Sequence, residues 1–230
     1  MPTEDEAWTS DCFAEDLAAV MAEFNVKRPI LLGWSVVSSF ILGHKLLTFS
    51  SFRSYGCTPA VDVVQKFGPH YLRALIYVGG LPFTQANHIV TDWQRNSIRR
   101  LLKQPNPDAY QNALHENVIN AFLKPEVIPK EVIETWVKVR SAQTIEVYRQ
   151  VLRRQQNTSR LWEEGGTVLP ILIIHGQSDQ ICDHDASIND AKKHFKKVDV
   201  ESWPGVGHMP HVERITEFNR VVGSWVEKVL

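Results

Sequence analysis

The sequence has no excess of basic charge and no long hydrophobic run. Its 230 residues carry 25 Lys and Arg against 26 Asp and Glu, a formal net charge of −1. A nucleic-acid-binding domain is expected to show a basic patch or stripe, so this balance gives no support for such a partner. The longest apolar stretch, Val36 to Phe52, is interrupted by His44 and Lys45, and it is too short and too polar to cross a bilayer.

Cysteine is scarce as well. Cys12, Cys57 and Cys182 are odd in number and far apart, which suits a reducing compartment and forms no zinc-binding pattern. The acidic start, Met1 to Glu6, has the wrong sign for a signal peptide. We therefore expect a cytoplasmic protein without a membrane span.

The apolar residues instead predict a chain of alternating helices and strands. A first helix can be capped by Ser10 or Asp11 and ended by Asn25 in a left-handed conformation. A short buried strand follows at Pro29–Gly33. Further strands are predicted at Leu72–Val78, Val168–Ile174 and Val198–Trp203, with helical faces around 61–67, 188–195 and 218–229. The pattern indicates an α/β fold, with a mostly parallel sheet and helices on both faces.

One interval has no strand pattern. Residues 86–165 contain several helical stripes and are longer than a crossover helix requires. We interpret them as a helical cap inserted between two parts of one domain, 1–85 and 166–230.

Three loops that follow predicted strands hold the candidate functional residues. They present Ser35, Asp179 and His208. Each has an ordinary structural alternative: Ser35 could cap a helix, Asp179 could form an Asx-turn or a cap, and His208 could lie in a surface turn. The chain order Ser, Asp, His is that of the α/β-hydrolase triad.

The sequence resembles the α/β-hydrolase superfamily, in its cap-bearing branch of esterases and cofactor-free haloperoxidases. The similarity is closest over Pro170–Asp179 and Gly205–Glu213. It implies that Ser35 attacks an acyl carbon, His208 takes its proton, Asp179 orients the imidazole and the backbone N–H of Val36 contributes to an oxyanion hole. It also implies a small acyl substrate, no cofactor and no metal.

Other histidines are weaker candidates for the base. His211 lies past the position of the motif's histidine, and His175 precedes the turn, where packing explains it better. Asp183, His184 and Asp185 could suggest a metal, but capping of the following helix is the better interpretation.

The chain departs from the family pattern in two places. It has no Gly before Gly33 and no His before His44, so we expect the first sheet strands and the His-Gly oxyanion loop to be absent. The strand that carries Ser35 would then have an unpaired edge. In addition, Val37 occupies the position two residues after the serine, where the family has a small residue.

Deleting residues 36–54 would restore an ordinary nucleophile turn, Gly-Trp-Ser-Tyr-Gly. We interpret this segment as a retained short intron, because the codons for Trp34, Ser35 and Arg53 permit splice signals there. The alternative is a genuine insertion that begins the next helix with Val36, Val37 and Phe40. Under the intron hypothesis Ser54 is equivalent to Ser35.

The sequence predicts the chemistry more closely than the substrate. Trp93, Trp136 and Trp162 are candidates for the wall of an acyl pocket, although packing within the core of the cap is the better explanation for them. A serine hydrolase of small esters is the favoured function. The alternative is a non-catalytic or truncated protein that at most binds a small ligand, and the oligomeric state is not predicted.

Overall fold

The computed structural model describes residues 8–35, 37–42, 45–49, 56–142 and 144–230, and for 37–42 and 45–49 it describes the backbone alone. The strands are β1 Ile30–Trp34, β2 Val37–Leu42, β3 Lys45–Phe49, β4 Ala74–Val78, β5 Ile171–Gly176 and β6 Val198–Trp203. The helices are α1 Ser10–Glu23, α2 Pro59–Phe67, α3 Asp92–Leu102, α4 Pro107–Ile119, α5 Lys130–Ser141, α6 Ile145–Arg153, α7 Gly166–Val168, α8 His184–His194, α9 Pro210–Glu213 and α10 Ile215–Val229.

The six strands form one sheet in the order β3-β2-β1-β4-β5-β6. Strands β1, β4, β5 and β6 are parallel, whereas β2 pairs antiparallel with both β1 and β3. The expectation that β1 has an unpaired edge is therefore wrong. Strand β2 runs along that edge, with Ile41 opposite Ile30 and Val37 opposite Trp34. The helical alternative is also wrong for Val37 and Phe40, since 37–42 is a strand and the next helix in the described residues begins at Pro59. A strand here satisfies backbone groups on β1 that a helix would leave without partners.

Alternate residues of the strands face two separate cores. On β4, Ile76 and Val78 belong to a cluster with α10, and Leu75 and Tyr77 belong to a cluster with α1, α2 and α8. Both faces of the central strands are buried, which is why they read as continuous apolar runs. Helices on both faces of a mostly parallel sheet confirm the predicted fold class.

The boundaries of two elements differ from the prediction in instructive ways. Thr9, rather than Ser10 or Asp11, caps α1 by accepting a hydrogen bond from the N–H of Cys12. Asn25 does adopt the predicted left-handed conformation, with φ of 49°. Strand β5 begins at Ile171 because the preceding residues, 166–168, are helical.

Helices α3 to α6 lie between β4 and β5, in the interval 86–165. Its interpretation as a helical cap inserted into one domain stays a prediction. The end of this insertion is tied to the core by a buried ion pair between Arg154 and Asp62 of α2, with an N–O distance of 2.7 Å. Gln156 donates to the other oxygen of Asp62 at 2.8 Å. Among the helices of the described ranges, none has the length and apolar character needed to span a membrane.

Candidate active site

The three candidate residues lie at the carboxyl ends of strands of the sheet. Ser35 follows β1, Asp179 follows β5 and His208 follows β6. These strands are parallel, so their carboxyl ends are on the same side, where open α/β sheets place functional groups. Val36 and Ser54 lie outside the described residues.

Ser35 lies on a strained turn. Its φ of 22° is positive, which is uncommon for a residue other than glycine. The turn is closed by Gly56, whose N–H donates to the carbonyl of Ser35 at 2.9 Å. A Cβ on Gly33 would lie 2.3 Å from the oxygen of Gly56, so the strand and the start of the next helical segment are in close contact here. The family pattern has a small residue two positions after the serine, where this chain has Val37. In the structure it is Gly56 that makes the close contact with the strand.

Asp179 and His208 form a buried pair. The Oδ2 atom of Asp179 is 2.8 Å from Nδ1 of His208, and both side chains are almost fully buried. The Oδ1 atom accepts from the N–H groups of Ile181 and Cys182 at 2.7 and 3.0 Å. Burial alone would raise the pKa of the Asp179 carboxyl, but His208 and hydrogen bonds from both histidines outweigh it and hold the pKa below its usual range. Asp179 is therefore a charged acceptor that fixes the imidazole of His208.

The other ring nitrogen of His208, Nε2, is buried and has no hydrogen-bond partner among the described residues. A hydrogen bond between Ser35 and His208 is accordingly not formed in this structure. Nε2 is the atom that a base must use when Nδ1 is held by a carboxylate. Hydrogen bonds of this kind are often long or absent without substrate.

The backbone of His208 is held from two sides. Its N–H donates to the carbonyl of Ala121 in the insertion at 3.0 Å, and its carbonyl accepts from Nε1 of Trp34 at 2.8 Å. Trp34 directly precedes Ser35, so this bond joins the serine turn to the loop of the base.

Glu213 binds backbone N–H groups of the same loop. Its carboxylate accepts from the N–H of Gly207 at 3.0 Å and from the N–H of Met209 at 3.3 Å, on either side of His208. It also accepts from the N–H of Leu123 in the insertion at 3.3 Å. Sequence reasoning placed Glu213 at the end of a motif but did not identify this contact.

The end of β5 approaches the histidine loop closely. A Cβ on Gly176 would lie 2.2 Å from the oxygen of Gly207. Only glycine leaves room for this contact, which sets the distance between the loops of Asp179 and His208.

The remaining histidines have different surroundings. The ring of His211 lies 4.5 Å from the ring of Trp34, and burial, followed by the effect of His208, lowers the pKa of His211 to about 3. His175 was expected to be a packing residue, but its Nε2 lies 2.9 Å from Oδ2 of Asp179. A histidine beside a glycine at a strand end gives no sequence signal for this contact.

The predicted tryptophans separate in the structure. The ring of Trp136 lies 4.9 Å from that of Trp34, close to the site. Trp93 packs at the margin of the core on that side, whereas Trp162 stacks on His194 beside α8. The ring of Trp136 also lies 5.9 Å from the ring of His211.

A metal is not favoured by the surrounding chemistry. Asp179, Cys182 and His208 place potential ligand atoms within 4.8 Å of one another. However, hydrogen bonds already account for this cluster, because Oδ2 of Asp179 pairs with His208 and Oδ1 accepts from the N–H groups of Ile181 and Cys182. Asp183 caps α8 by accepting from the N–H of Ala186, as predicted.

No family model matches the chain, and no curated protein matches it. Solved structures do match. A candidate aryl esterase from Burkholderia cenocepacia aligns with a TM-score of 0.80 and 18% identity, covering 100% of this chain and 75% of the other. The esterase RhEst1 from Rhodococcus sp. ECU1013 aligns with a TM-score of 0.79 and 21% identity, covering 100% and 76%. The 2-hydroxy-6-oxo-6-phenylhexa-2,4-dienoate hydrolase from Rhodococcus sp. strain RHA1 aligns with a TM-score of 0.64 and 16% identity, covering 96% and 71%.

These matches extend over essentially the whole chain. The protein has the α/β-hydrolase fold, as the resemblance of its motifs predicted.

Proposed function

We propose that the protein is a serine hydrolase that cleaves a small ester or a related acyl compound. The observation that carries this proposal is the buried Asp179–His208 pair, whose free Nε2 lies in a loop bonded to the residue before Ser35. The names of the similar structures, two esterases and a hydrolase, support the same reaction class.

In the proposed reaction, Oγ of Ser35 attacks the acyl carbon while Nε2 of His208 takes the hydroxyl proton. Asp179 keeps Nδ1 of His208 as the donor and stabilises the imidazolium that forms. The proton then passes to the leaving alcohol, and an acyl-serine ester remains. Water attacks this ester with His208 again as base, which releases the acid and restores the serine hydroxyl.

The positive φ of Ser35 fits this role, because a strained strand-to-helix turn holds a nucleophile clear of the backbone. We assign the N–H of Val36 as one donor to the oxyanion, and a single donor is worth about 10²–10³ in rate. A chain with one such donor would be slower than a hydrolase with two.

Labelling with a fluorophosphonate probe tests the proposal. The purified protein should be labelled covalently, and Ser35→Ala should abolish labelling. Ser54→Ala is the matched control, because Ser54 is the serine that the intron hypothesis makes equivalent to Ser35. We expect the Ser54→Ala variant to be labelled normally.

Two results would contradict the assignment. Loss of labelling in Ser54→Ala with labelling kept in Ser35→Ala would move the nucleophile. Absence of labelling in wild-type protein that is folded by circular dichroism would favour the alternative, a protein that binds a small ligand without catalysis.

A further inference from the structure

Two imidazoles share one oxygen of Asp179. Oδ2 lies 2.8 Å from Nδ1 of His208 and 2.9 Å from Nε2 of His175. The Nε2 atom of His175 is also 3.2 Å from the carbonyl of Cys182. Both neighbours of Nε2 can only accept hydrogen bonds, so this nitrogen carries the proton. In a neutral ring, Nδ1 of His175 is therefore an acceptor.

His175, Tyr77 and Asp190 line a cavity between the sheet and α8. Nδ1 of His175 is buried and has no hydrogen-bond partner among the described residues. The hydrogen bonds that orient this ring are therefore those of Nε2, with the carboxylate of Asp179 and the carbonyl of Cys182.

Asp179 is held on both of its oxygens. Oδ2 faces Nε2 of His175 and Nδ1 of His208, and Oδ1 accepts from the N–H groups of Ile181 and Cys182. His175 is thus a second side-chain donor to the same oxygen that faces His208.

We propose that His175 is a positioning residue for Asp179, held in the Nε2–H tautomer by the carboxylate of Asp179 and the carbonyl of Cys182. This inference rests on the proposed function. The donor from His175 draws electron density from the oxygen that also faces His208. It therefore moderates how strongly Asp179 stabilises the protonated base.

The groups that face His175 come from every side of it. Asp179 and Cys182 lie in the loop after β5, and His208 lies beyond Asp179. The ring of His184 is 5.5 Å away. Tyr77 and Asp190 complete the surroundings across the cavity.

The first test compares His175→Leu with His175→Gln, using the rate of fluorophosphonate labelling across the neutral pH range. Leu removes the donor, whereas the Gln amide keeps a donor near Nε2. We expect the Leu variant to label about tenfold more slowly at neutral pH, within the loss that small displacements of catalytic groups cause. The acid limb of its pH profile should move to higher pH by roughly half a unit or more, because Asp179 then stabilises the imidazolium more strongly.

The Gln variant should remain within about threefold of wild type, with its acid limb in place. Equal losses in both variants without a shift of the acid limb would reduce His175 to a packing residue and overturn the proposal.

The second test does not depend on activity or on the folding of a His175 variant. Nitrogen–proton correlation spectra of the histidine rings should show His175 as the Nε2–H tautomer in wild-type protein. A Nδ1–H tautomer would contradict the proposal. If wild-type protein is not labelled at all but these spectra match, the proposed function fails and the arrangement of His175 stands.

Discussion

The two halves of the candidate site are assembled differently. Asp179 and His208 lie on short loops that contact one another directly, through the side-chain pair and through Gly176 against Gly207. Ser35 lies on a turn that is closed by Gly56, which is distant in sequence. The acid–base half depends on contiguous motifs, and the serine half depends on a tertiary contact that brings two separated segments together. An interruption of the chain can therefore leave one half of a site intact while it rebuilds the other.

The acid–base half should show the largest effect on activity. Asp179→Asn should lower the labelling rate by about 10⁴-fold, because the amide cannot hold His208 in the required tautomer. Asp183→Asn is the matched control, since Asp183 only caps α8 and Asn caps a helix equally well. The two variants are compared by labelling rate and by thermal melting. Equal activity in Asp179→Asn and the control would separate Asp179 from the chemistry.

Removing residues 36–54 tests the serine half. If this segment interrupts an otherwise ordinary turn, the shortened chain should label up to about 10²-fold faster, because the N–H of Tyr55 would replace that of Val36 in a restored turn that directs it at the oxyanion. The same deletion removes β2 and uncovers the edge of β1, so light scattering should show more association.

Sequencing the transcript across Gly33 to Gly56 would show directly whether these codons are spliced out. A soluble, slower or inactive shortened protein would identify the segment as a working part of the fold.

Two glycine substitutions compare the rigidity of the halves. Gly176→Ala places a Cβ 2.2 Å from the oxygen of Gly207, and Gly33→Ala places one 2.3 Å from the oxygen of Gly56. Gly207 is also held by Glu213, so we expect Gly176→Ala to lower the free energy of unfolding by about 3 kcal/mol and Gly33→Ala by about 1 kcal/mol.

Gly223→Ala is the control, because no atom lies within 4 Å of its added Cβ on exposed α10. Urea denaturation measures all three variants. If Gly33→Ala lowered the free energy of unfolding more than Gly176→Ala, the serine half would be the more rigid of the two, contrary to our expectation.

The smallest effect concerns pH and His211, whose ring contacts Trp34. Its pKa is lowered to about 3 by burial and by His208, whereas an unfolded histidine titrates near 6.5. Between these values the unfolded chain binds more protons, so this residue makes stability fall as the pH falls from about 6.5. His211→Phe should lose less stability than wild type on going from neutral to mildly acidic pH.

Urea midpoints at the two pH values measure this difference, with His115→Phe on exposed α4 as control. An unchanged pH dependence in His211→Phe would mean that His211 is protonated in the folded protein.

Much of the fold could be predicted because local patterns carried it. Strand β6 was predicted with the observed bounds, Val198–Trp203, since alternation reports a half-buried strand. The β2 strand could not be predicted, because a short apolar run such as Val37–Leu42 fits a helix or a strand until its neighbour is known. In this chain the neighbour is the open edge of β1, which only the assembled sheet reveals.

The candidate site divides in the same way. Ser35, Asp179 and His208 were predicted from loops and chain order, and their catalytic roles stay a prediction. The contacts of His175 and Glu213 could not be predicted, because each joins residues whose proximity depends on how the loops close. A carboxylate that accepts from backbone N–H groups leaves no particular side-chain pattern in the sequence.

The attachment of His208 to the helical insertion has a consequence for how a substrate reaches the site. Ala121 and Leu123 hold the histidine loop through its backbone and through Glu213. An insertion that swung outward as a rigid lid would break these bonds and release the loop of His208. Under the proposed function, an open lid and an assembled base would therefore exclude each other, and a substrate would have to pass between side chains of the closed insertion.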